Sequence, residues 1–439
     1  MENFREHLKV EKERAVLAGA ILRGREKNFD DLTELAALAN TAGAIVVYRF
    51  QQKVREIHAS TFIGKGKAEQ LAEKVIEHKA DVVIFDNDLS PGQIRSLEEI
   101  MQVKVLDRSE LILDIFATHA RTRQAKVQVE LAQLEYTYPR LTRMWSHLDT
   151  VTGGAGAGGS GAAGAAVGTR GTGEKQLEID RRLVSKRVTE LKSELKEIDK
   201  RKIREIDSRK GQFKICIVGY TNAGKSTLMN ALTDAGVLVE DKLFATLDTK
   251  TKKWNLQAGM DVLLSDTVGF VKHLPHHLVA SFKATLEEAV YADVLLHVVD
   301  ASSEDAMEHI ASVDAVLKQL GCGHKPVIML LNKTDKITRP GQLDMISTLH
   351  PGAISISAKT GVNLELLSEA ILKRFKGREV IVKVSGGNAY GKIHSYLCAN
   401  ATILDEQYED NRYAIQARIG RNQLTELKRL KPENLEIDD

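Results

Sequence analysis

The sequence predicts a multidomain α/β fold. Residues 1–107 and 213–376 alternate short apolar runs with amphipathic stretches, which is typical of parallel sheets covered by helices. A highly charged region with near-heptad apolar spacing lies between them and predicts long helices. The chain of 439 residues also exceeds what a single hydrophobic core usually supports. We therefore expect an N-terminal parallel α/β domain (1–107), a long antiparallel helical hairpin (108–211), a second α/β domain (212–376) and a small α+β domain (377–439).

The composition is that of an ordinary globular protein, with 43% apolar and 28% charged residues. A net charge of +2 gives no overall basic signal for nucleic acid, so any basic surface must be local. Cys216, Cys322 and Cys398 have neither metal-ligand nor redox spacing, which indicates reduced thiols. The charged N-terminus is unlike a signal peptide, and apolar runs such as VIMLL (327–331) are too short to cross a bilayer. We therefore expect a cytoplasmic protein with no membrane span.

The N-terminal domain is predicted from apolar runs that alternate with amphipathic stretches. The predicted strands are AIVVYRF (44–50), DVVIFD (81–86) and VKVLD (103–107). Residues 66–79 and 90–101 predict helices, the second with Ser90 as N-cap and Pro91 at the first helical position. The segment FIGKGK (62–67) is rich in glycine and lysine but lacks the spacing of a phosphate-binding loop. Whether this domain binds a second nucleotide is therefore left open.

The region between the two α/β domains predicts two long antiparallel helices. Residues 108–138 contain neither Gly nor Pro, and their apolar side chains form a helical stripe of Ile112, Phe116, Val127, Leu131 and Leu134. In residues 174–210 the apolar side chains keep a near-heptad spacing, at Leu177, Val184, Val188, Leu191, Leu195 and Ile198. That spacing is typical of a narrow coiled-coil seam. The uncharged, glycine-rich segment Gly153–Gly168 then lies at the tip of the hairpin.

Apolar runs, each followed by a helical stretch, define the second α/β domain. They are FKICIVG (213–219), DVLLSDT (261–267), VLLHVVD (294–300), PVIMLLN (326–332) and AISIS (353–357). The C-terminal residues predict a strand at EVIVKVS (379–385), a helix, two strands around DEQYEDNRYAIQARI (405–419) and a final helix. This order predicts a small α+β appendage.

The segment GYTNAGKST (219–227) follows a predicted strand and opens a helix, as a phosphate-binding loop (P-loop) does. Gly219 and Gly224 allow backbone N–H groups to turn toward phosphate oxygens, and the helix adds its positive N-terminal end. Lys225 brings a charge to the β- and γ-phosphates, and the Ser226 hydroxyl can ligate Mg²⁺. The predicted phosphate site comprises Gly219, Tyr220, Thr221, Asn222, Ala223, Gly224, Lys225, Ser226 and Thr227.

Two further segments indicate guanine rather than adenine. The carboxylate of Asp335, in the NKTD segment, can accept hydrogen bonds from the guanine N1–H and exocyclic amino group, two donors that adenine lacks. Asn332 can brace this loop, and the Lys333 stem can pack on the ring face. In SISAK (355–359), backbone N–H groups near Ala358 can donate to guanine O6. The predicted base site comprises Asn332, Lys333, Thr334, Asp335, Ser357, Ala358 and Lys359.

Two segments between these motifs predict the parts that sense the γ-phosphate. In SDTVGF (265–270), Asp266 can hold the Mg²⁺ shell through water, and the Gly269 N–H can meet the γ-phosphate. The segment FATLDTKT (244–251) must contain the first switch, with Thr246 favoured as the Mg²⁺ ligand and Thr249 as the alternative. The predicted site residues here are Phe244, Ala245, Thr246, Leu247, Asp248, Asp266, Thr267, Val268 and Gly269. The candidate catalytic residues are Lys225, Thr246 and Gly269.

Phe270 occupies the position after D-x-x-G, where many GTPases carry a glutamine that orients the attacking water. A phenyl ring can neither donate nor accept the required hydrogen bond. We interpret the nearby His273, His276 and His277 as solvent-exposed residues. The sequence therefore predicts slow intrinsic hydrolysis, which a partner accelerates by ordering the switches.

Together these residues resemble the translation-factor class of GTPases. The segments FATLDTKT, DTVGF and GTRGTGEKQLEIDRR (168–182) make the chain similar to the HflX family of ribosome-associated GTPases over nearly its whole length. The resemblance implies binding to the large ribosomal subunit, splitting of stalled or hibernating ribosomes, and Mg²⁺ ligation by Ser226 and Thr246. The chain departs from the family in its uncharged, Ala-rich tip loop. It also departs at Thr172, where the family's G-x-G-E motif has Pro.

Basic and aromatic side chains flank the tip loop and suit RNA, since guanidinium groups pair with phosphates and rings stack on bases. They are Tyr136, Tyr138, Arg140, Arg143, Trp145, His147 and Arg170. On sequence alone an ordinary connector is an equal alternative. The resemblance favours a loop, in a monomeric protein, that enters the RNA of the large ribosomal subunit around Arg140, Arg143, Trp145 and Arg170.

Two other functions stay open. One is a GTPase of ribosome assembly or tRNA modification, which would share the nucleotide motifs, although the sequence gives no sign of Cys- or cofactor-based chemistry elsewhere. The other is a regulatory binding module whose GTP state switches a protein partner with negligible turnover. Ribosome-stimulated phosphate release would separate the ribosome-binding enzyme from the regulatory module.

Overall fold

The computed structural model describes residues 12–22, 31–144, 172–208, 212–233, 243–244, 249–257, 260–272, 288–339, 341–376, 379–387, 390–409, 412–420, 424–430 and 432–438. The chain divides into two compact units. The first comprises Met1–Arg201, Leu238–Thr249 and Thr267–Glu287, and the second comprises Lys202–Val237, Lys250–Asp266 and Glu288–Asp439. Across the described ranges, the helices are all too short or too polar to span a membrane.

A parallel four-stranded sheet forms the centre of the N-terminal domain. Its strands are β1 (Arg14–Leu22), β2 (Ile45–Val54), β3 (Val82–Phe85) and β4 (Lys104–Asp107), in the order β2-β1-β3-β4. Its helices are α1 (Thr33–Thr41), α2 (Lys65–Glu77) and α3 (Pro91–Met101). The predicted cap of α3 is confirmed, because Ser90 Oγ accepts from Gln93 N and Gln93 Oε1 accepts from Ser90 N. The sequence did not predict β1, although it is a central strand.

In the described residues of the hairpin region, the helices are α4 (Arg108–His119), α5 (Arg123–Met144) and α6 (Thr172–Ser208). The stripe predicted to run unbroken over 108–138 is interrupted, because Ala120 is extended and Thr122 Oγ1 accepts from Ala125 N to begin a new helix. Val127, Leu131 and Leu191 form the buried seam between α5 and α6.

Ion pairs join the two arms of the hairpin. Arg123 meets Glu194 at 2.6 Å, Arg187 meets Glu130 at 2.7 Å, and Lys192 meets Glu135 at 2.8 Å. Pairs between exposed side chains contribute little individually, so these contacts set the register of the hairpin more than its stability. The narrow apolar seam carries the packing.

A six-stranded sheet with helices forms the second α/β domain. The strands are β5 (Lys214–Gly219), β6 (Lys250–Gln257), β7 (Met260–Asp266), β8 (Val294–Asp300), β9 (Val327–Asn332) and β10 (Ile354–Ser355). The order is β10-β9-β8-β5-β7-β6, and every pair is parallel except β6 with β7. The helices are α7 (Lys225–Thr233), α8 (Ala306–Gln319), α9 (Gln342–Leu349) and α10 (Leu364–Lys376), with a 3₁₀ turn at Thr334–Lys336. The carboxyl ends of β5, β8 and β9 meet at one edge, where ligands bind in such sheets.

The described residues of the C-terminal domain form an antiparallel sheet and two helices. Its elements are β11 (Glu379–Gly386), α11 (Tyr390–Asn400), β12 (Ala401–Glu409), β13 (Arg412–Gly420), α12 (Leu424–Arg429) and β14 (Asn434–Asp438). The strand order β12-β13-β11-β14 gives a split β-α-β topology. The sequence predicted that the chain ends in a helix, but a fourth strand follows it. The predicted fold class is confirmed: a multidomain α/β protein with a small α+β domain.

A buried histidine in β8 gives the fold an expected pH dependence. His297 is 1% exposed, and burial lowers its pKa from 6.5 to about 4, with the charges of His350 and Lys225 lowering it further. Between these two values the unfolded chain binds a proton that the folded chain does not. The free energy of unfolding must therefore fall as the pH drops through this window.

We expect acidification from pH 7 to pH 4 to remove about 3 kcal/mol of stability through His297 alone. Denaturant unfolding at several pH values measures this loss. A His297→Leu variant is the control, since it keeps the burial but cannot titrate, and its free energy of unfolding should fall less over the same range. Equal losses of unfolding free energy in the wild type and in His297→Leu would show that His297 does not cause the pH dependence.

Candidate nucleotide-binding site

The P-loop connects the end of β5 to the start of α7, and its glycines are required by close backbone contacts. Gly219 has φ of +152°, and a Cβ there would lie 2.3 Å from the carbonyl oxygen of Val298. Gly224 has φ of +93°, and a Cβ there would lie 2.3 Å from Nδ2 of Asn332. Any other residue would collide with the backbone of β8 or with the Asn332 side chain, which two hydrogen bonds hold in place. The loop is therefore set against two neighbouring strand ends.

Lys225, at the first position of α7, turns its ammonium group back onto the loop. Its Nζ donates to the carbonyl oxygens of Tyr220 at 2.7 Å and Gly219 at 3.2 Å. Burial lowers the pKa of Lys225 from 10.5 to about 8, the charge of Lys333 lowers it too, and the Asp266 carboxylate opposes the shift. An anion that binds next to this buried lysine strongly stabilises its charged form.

Ser226 and Asp266 form an oxygen pair beside the loop. The Ser226 hydroxyl donates to Asp266 Oδ2 at 2.6 Å, and Asp266 is fully buried at the end of β7. The next residues, Thr267 and Val268, are buried as well. A hydroxyl and a carboxylate are the hard oxygen donors that Mg²⁺ prefers, so the residues present fit this ion.

Phe270 is 2% exposed, so its ring packs inside the protein. Of the other predicted residues in the switch segments, Phe244 is buried and Thr249 is half-buried. Ala245, Thr246, Leu247 and Asp248 lie outside the described residues. The choice between Thr246 and Thr249 as an Mg²⁺ ligand therefore stays a prediction.

Asn332 joins the phosphate and base halves of the site. Its Nδ2 donates to the carbonyl oxygen of Ala223 in the P-loop at 2.8 Å, and its Oδ1 accepts from Ala358 N at 2.9 Å. Asn332 is 2% exposed, so both bonds are protected from water. The N–H of Ala358 thus donates to Asn332 and links the NKTD and SISAK segments, whereas donation from this region to guanine O6 stays a prediction.

Asp335 presents an exposed carboxylate beside Ser357. The Ser357 hydroxyl donates to Asp335 Oδ1 at 2.6 Å, and this bond lowers the pKa of the carboxyl group. Thr334 Oγ1 donates to the carbonyl oxygen of Ile356, which ties the 3₁₀ turn to the next loop. Asp335 is therefore an ionised acceptor held in a fixed direction, as guanine recognition requires.

Two contacts at this site were not foreseen from the sequence. Lys333 Nζ lies 2.7 Å from Asp300 Oδ2, and the ring of Tyr220 stacks on that of His309 with centroids 3.8 Å apart. The position of Asp300 at the carboxyl end of β8 was the available signal. No sequence signal pointed to His309.

The predicted RNA-binding set divides in the structure. The hydroxyl of Tyr136 donates to the buried carboxylate of Asp107, so Tyr136 belongs to the packing of the N-terminal domain. Trp145 and Arg170 lie outside the described residues, and of Arg140 and Arg143 only the helical backbone in α5 is described. The tip contacts therefore stay predictions.

Family models match most of the chain in three consecutive blocks. Residues 30–117 match a model described as "GTP-binding GTPase N-terminal", residues 119–209 match "GTP-binding GTPase Middle Region", and residues 214–333 match "50S ribosome-binding GTPase". The last block contains the P-loop, the D-x-x-G segment and the first two residues of NKTD, Asn332 and Lys333.

Relatives that are similar over most of their length agree with these models. The GTPase HflX of Lacrimispora saccharolytica is 40% identical, over 94% of this chain and 95% of that protein. The GTPase HflX of Caldanaerobacter subterraneus subsp. tengcongensis is 42% identical (94% and 92%), and that of Escherichia coli K12 is 40% identical (80% and 81%). A GTP-binding protein from Sulfolobus solfataricus, solved with GDP, is 26% identical with a TM-score of 0.41, over 82% of this chain and 98% of that one. The nucleotide motifs lie at adjoining strand ends, and the first two HflX proteins are 40% and 42% identical over 94% of this chain. The chain therefore belongs to the HflX family of GTPases.

Proposed function

We propose that this protein binds GTP with Mg²⁺, hydrolyses it to GDP and phosphate, and acts on the large ribosomal subunit in the cytoplasm. The observation that carries the proposal is the pair of hydrogen bonds by which the Asn332 side-chain amide joins the P-loop to the SISAK segment. These two bonds support a single site that combines a phosphate cradle with a guanine acceptor. Adenine offers no donor pair for the Asp335 carboxylate, so the site favours GTP over ATP.

Each loop has a proposed task in binding. The P-loop N–H groups and the N-terminal end of α7 hold the phosphates, and Lys225 turns from the carbonyls of Gly219 and Tyr220 to the β- and γ-phosphates. Ser226 is the proposed Mg²⁺ ligand, Asp266 orients the ion's water shell, and Thr246 is the proposed second ligand. The bound ion would supply charge neutralisation at the phosphate oxygens.

The proposed rate-limiting feature is water positioning. Phe270 is apolar and buried, so it cannot orient the attacking water as a glutamine would. The Gly269 N–H is proposed to meet the γ-phosphate and couple its presence to the second switch. Fast hydrolysis therefore depends on a partner that orders the switches.

The proposed partner is the large ribosomal subunit. The family model that covers residues 214–333 is described as ribosome-binding, and the chain carries the helical hairpin whose tip is flanked by Arg140, Arg143, Trp145 and Arg170. Arginine and tryptophan side chains suit phosphates and unstacked bases. We propose that this tip enters ribosomal RNA and that the bound protein separates the subunits of stalled or hibernating ribosomes.

We expect basal GTP hydrolysis on the order of 10⁻⁴ to 10⁻² s⁻¹, with a strong rise when large ribosomal subunits are added. Phosphate release measured with large subunits, small subunits and neither tests both statements. Light scattering of intact ribosomes in the same series tests subunit separation. A fast basal rate that ribosomes do not change would overturn the proposal, and negligible turnover with large subunits would favour the regulatory binding module.

A tip variant provides the matched control. It shortens Gly153–Gly168 and carries Arg143→Ala and Trp145→Ala, all far in sequence from the nucleotide motifs. GTP binding and basal hydrolysis should be unchanged, whereas ribosome stimulation and subunit separation should be lost, because stacking alone contributes about 1–3 kcal/mol per base. Full stimulation in this variant would show that the loop is only a connector.

A further inference from the structure

We propose that residues 300–309, between the end of β8 and the first turn of α8, brace both loops of the nucleotide site. Asp300 positions Lys333 at the base, and His309 positions Tyr220 at the phosphates. The inference rests on the proposed GTP-binding function, and it assigns positioning roles to residues that belong to none of the nucleotide motifs.

Asp300 is fixed on both of its oxygens. Oδ1 accepts from Ser302 N at 3.0 Å and Ser302 Oγ at 2.6 Å, while Oδ2 lies 2.7 Å from Lys333 Nζ. The side chains of Asp300 and Lys333 are only 20% and 17% exposed, so water screens their attraction weakly. Asp300 is therefore a rigid anchor with one oxygen committed to the lysine.

The sheet brings this anchor to the base loop. Asp300 lies in register with Asn332 across β8 and β9, and Ala301 N donates to the carbonyl oxygen of Asn332 at 2.9 Å. Lys333 follows directly in the left-handed region, with φ of 63°, which a lysine adopts only where its neighbours determine it. The Asp300 pair is the contact that fixes the lysine side chain, and with it the stem predicted to cover the guanine ring.

His309 supplies the second contact. Its ring stacks on Tyr220 with centroids 3.8 Å apart and planes 16° apart. Tyr220 is 6% exposed, and its carbonyl oxygen accepts from Lys225 Nζ. The stack therefore anchors the P-loop backbone at the residue on which Lys225 rests.

The test is GDP titration by calorimetry on the full chain. Asp300→Asn keeps the size of the side chain and the oxygen that accepts from Ser302, but it removes the charge. We expect it to weaken GDP binding about tenfold, as loss of a hydrogen bond between charged groups does. Lys333→Met removes the ammonium and keeps the stem. If Asp300 acts through Lys333, the double variant binds GDP no more weakly than Lys333→Met alone.

His309 is tested by rescue. His309→Ala should weaken GDP binding about fivefold, on the scale of a lost aromatic pair, whereas His309→Phe keeps a stacking ring and should restore the affinity. Combined with Asp300→Asn, the loss from His309→Ala should multiply, because the two residues act on different loops.

Near wild-type affinity in Asp300→Asn, or a product of losses in the Asp300→Asn, Lys333→Met double variant, would overturn the Asp300 role. Failure of His309→Phe to restore binding would overturn the His309 role. Thermal unfolding of each variant shows whether a loss of affinity comes from misfolding. Lys333→Met removes the same ion pair by deleting the ammonium group, so it tests the pair independently of Asp300→Asn. A wild-type chain that binds no GDP would overturn the proposed function and the brace with it. A wild type that binds beside an unaffected Asp300→Asn overturns the brace alone.

Discussion

Lys225→Ala should lose GTP hydrolysis on the order of 10²- to 10³-fold, as removal of one electrostatic stabiliser of the reacting group does. Lys225 is the buried cation of the P-loop, and its ammonium group donates to the carbonyl oxygens of Gly219 and Tyr220. The substitution leaves the β- and γ-phosphates facing backbone groups without a full positive charge. Multiple-turnover phosphate release with large ribosomal subunits present measures the loss.

Lys373→Ala is the matched control, because it removes one exposed lysine from α10 in the same domain. It should hydrolyse GTP at the wild-type rate. Wild-type turnover in Lys225→Ala would remove the segment Gly219–Thr227 from the active site. The acidity of Lys225 adds a second check: nucleotide binding should raise its pKa above about 8, so GTP binding at pH 9 should be accompanied by proton uptake.

The local geometry of the candidate nucleotide site was predictable, because its motifs specify the conformation of each loop. Gly219 and Gly224 stand where any side chain would collide with neighbouring backbone or with Asn332, so their spacing specifies the loop directly. Asn332 ends strand β9 and Asp335 follows it, and the carboxyl ends of parallel strands meet at one edge. Sequence position alone therefore placed the phosphate and base segments together.

Three strands escaped prediction for identifiable reasons. Strand β1 reads RAVLAGAIL and is buried along most of its length, so it shows no apolar–polar alternation, and its small residues give a weak strand signal. Strand β6 reads KTKKWNLQ, in which Trp254 is deeply buried while Lys252 and Lys253 are exposed. Both β6 and the short β14 lie at sheet edges. An edge strand pairs with only one neighbour, so its sequence needs no continuous apolar run and gives a weak strand signal.

The remaining differences arise from contacts distant in sequence. The break between α4 and α5 needs neither Gly nor Pro, because the Thr122 side chain caps a new helix. Tyr136 was grouped with the RNA-binding residues by its neighbours in the chain, but its hydroxyl bonds to Asp107. The Asp300–Lys333 pair joins two strand ends, and only the strand order β8-β9 reveals it.

We expect a substitution at Asp335 to change the base specificity of the site. Its carboxylate is exposed at the end of the NKTD segment, and the hydroxyl of the buried Ser357 fixes its direction. In the proposed complex with GTP, the guanine N1–H and amino group donate to this carboxylate. In xanthosine triphosphate the amino group is replaced by a 2-oxo group, which a carboxylate repels and an amide N–H can meet.

Asp335→Asn should therefore weaken GTP binding by roughly 10²- to 10⁴-fold, since two hydrogen bonds to a charged group contribute about 1.5–3 kcal/mol each. The same variant should gain affinity for xanthosine triphosphate, because its amide donates to the 2-oxo group. Competition of GTP, xanthosine triphosphate and ATP against a fluorescent nucleotide measures all three affinities on one protein. Asp344→Asn, in α9, is the control for loss of a carboxylate elsewhere in the domain and should leave the order of affinities unchanged. Intact GTP affinity in Asp335→Asn would show that the NKTD segment does not read the base. Loss of GTP without gain of xanthosine triphosphate would show that Asp335 supports the loop and does not contact the purine.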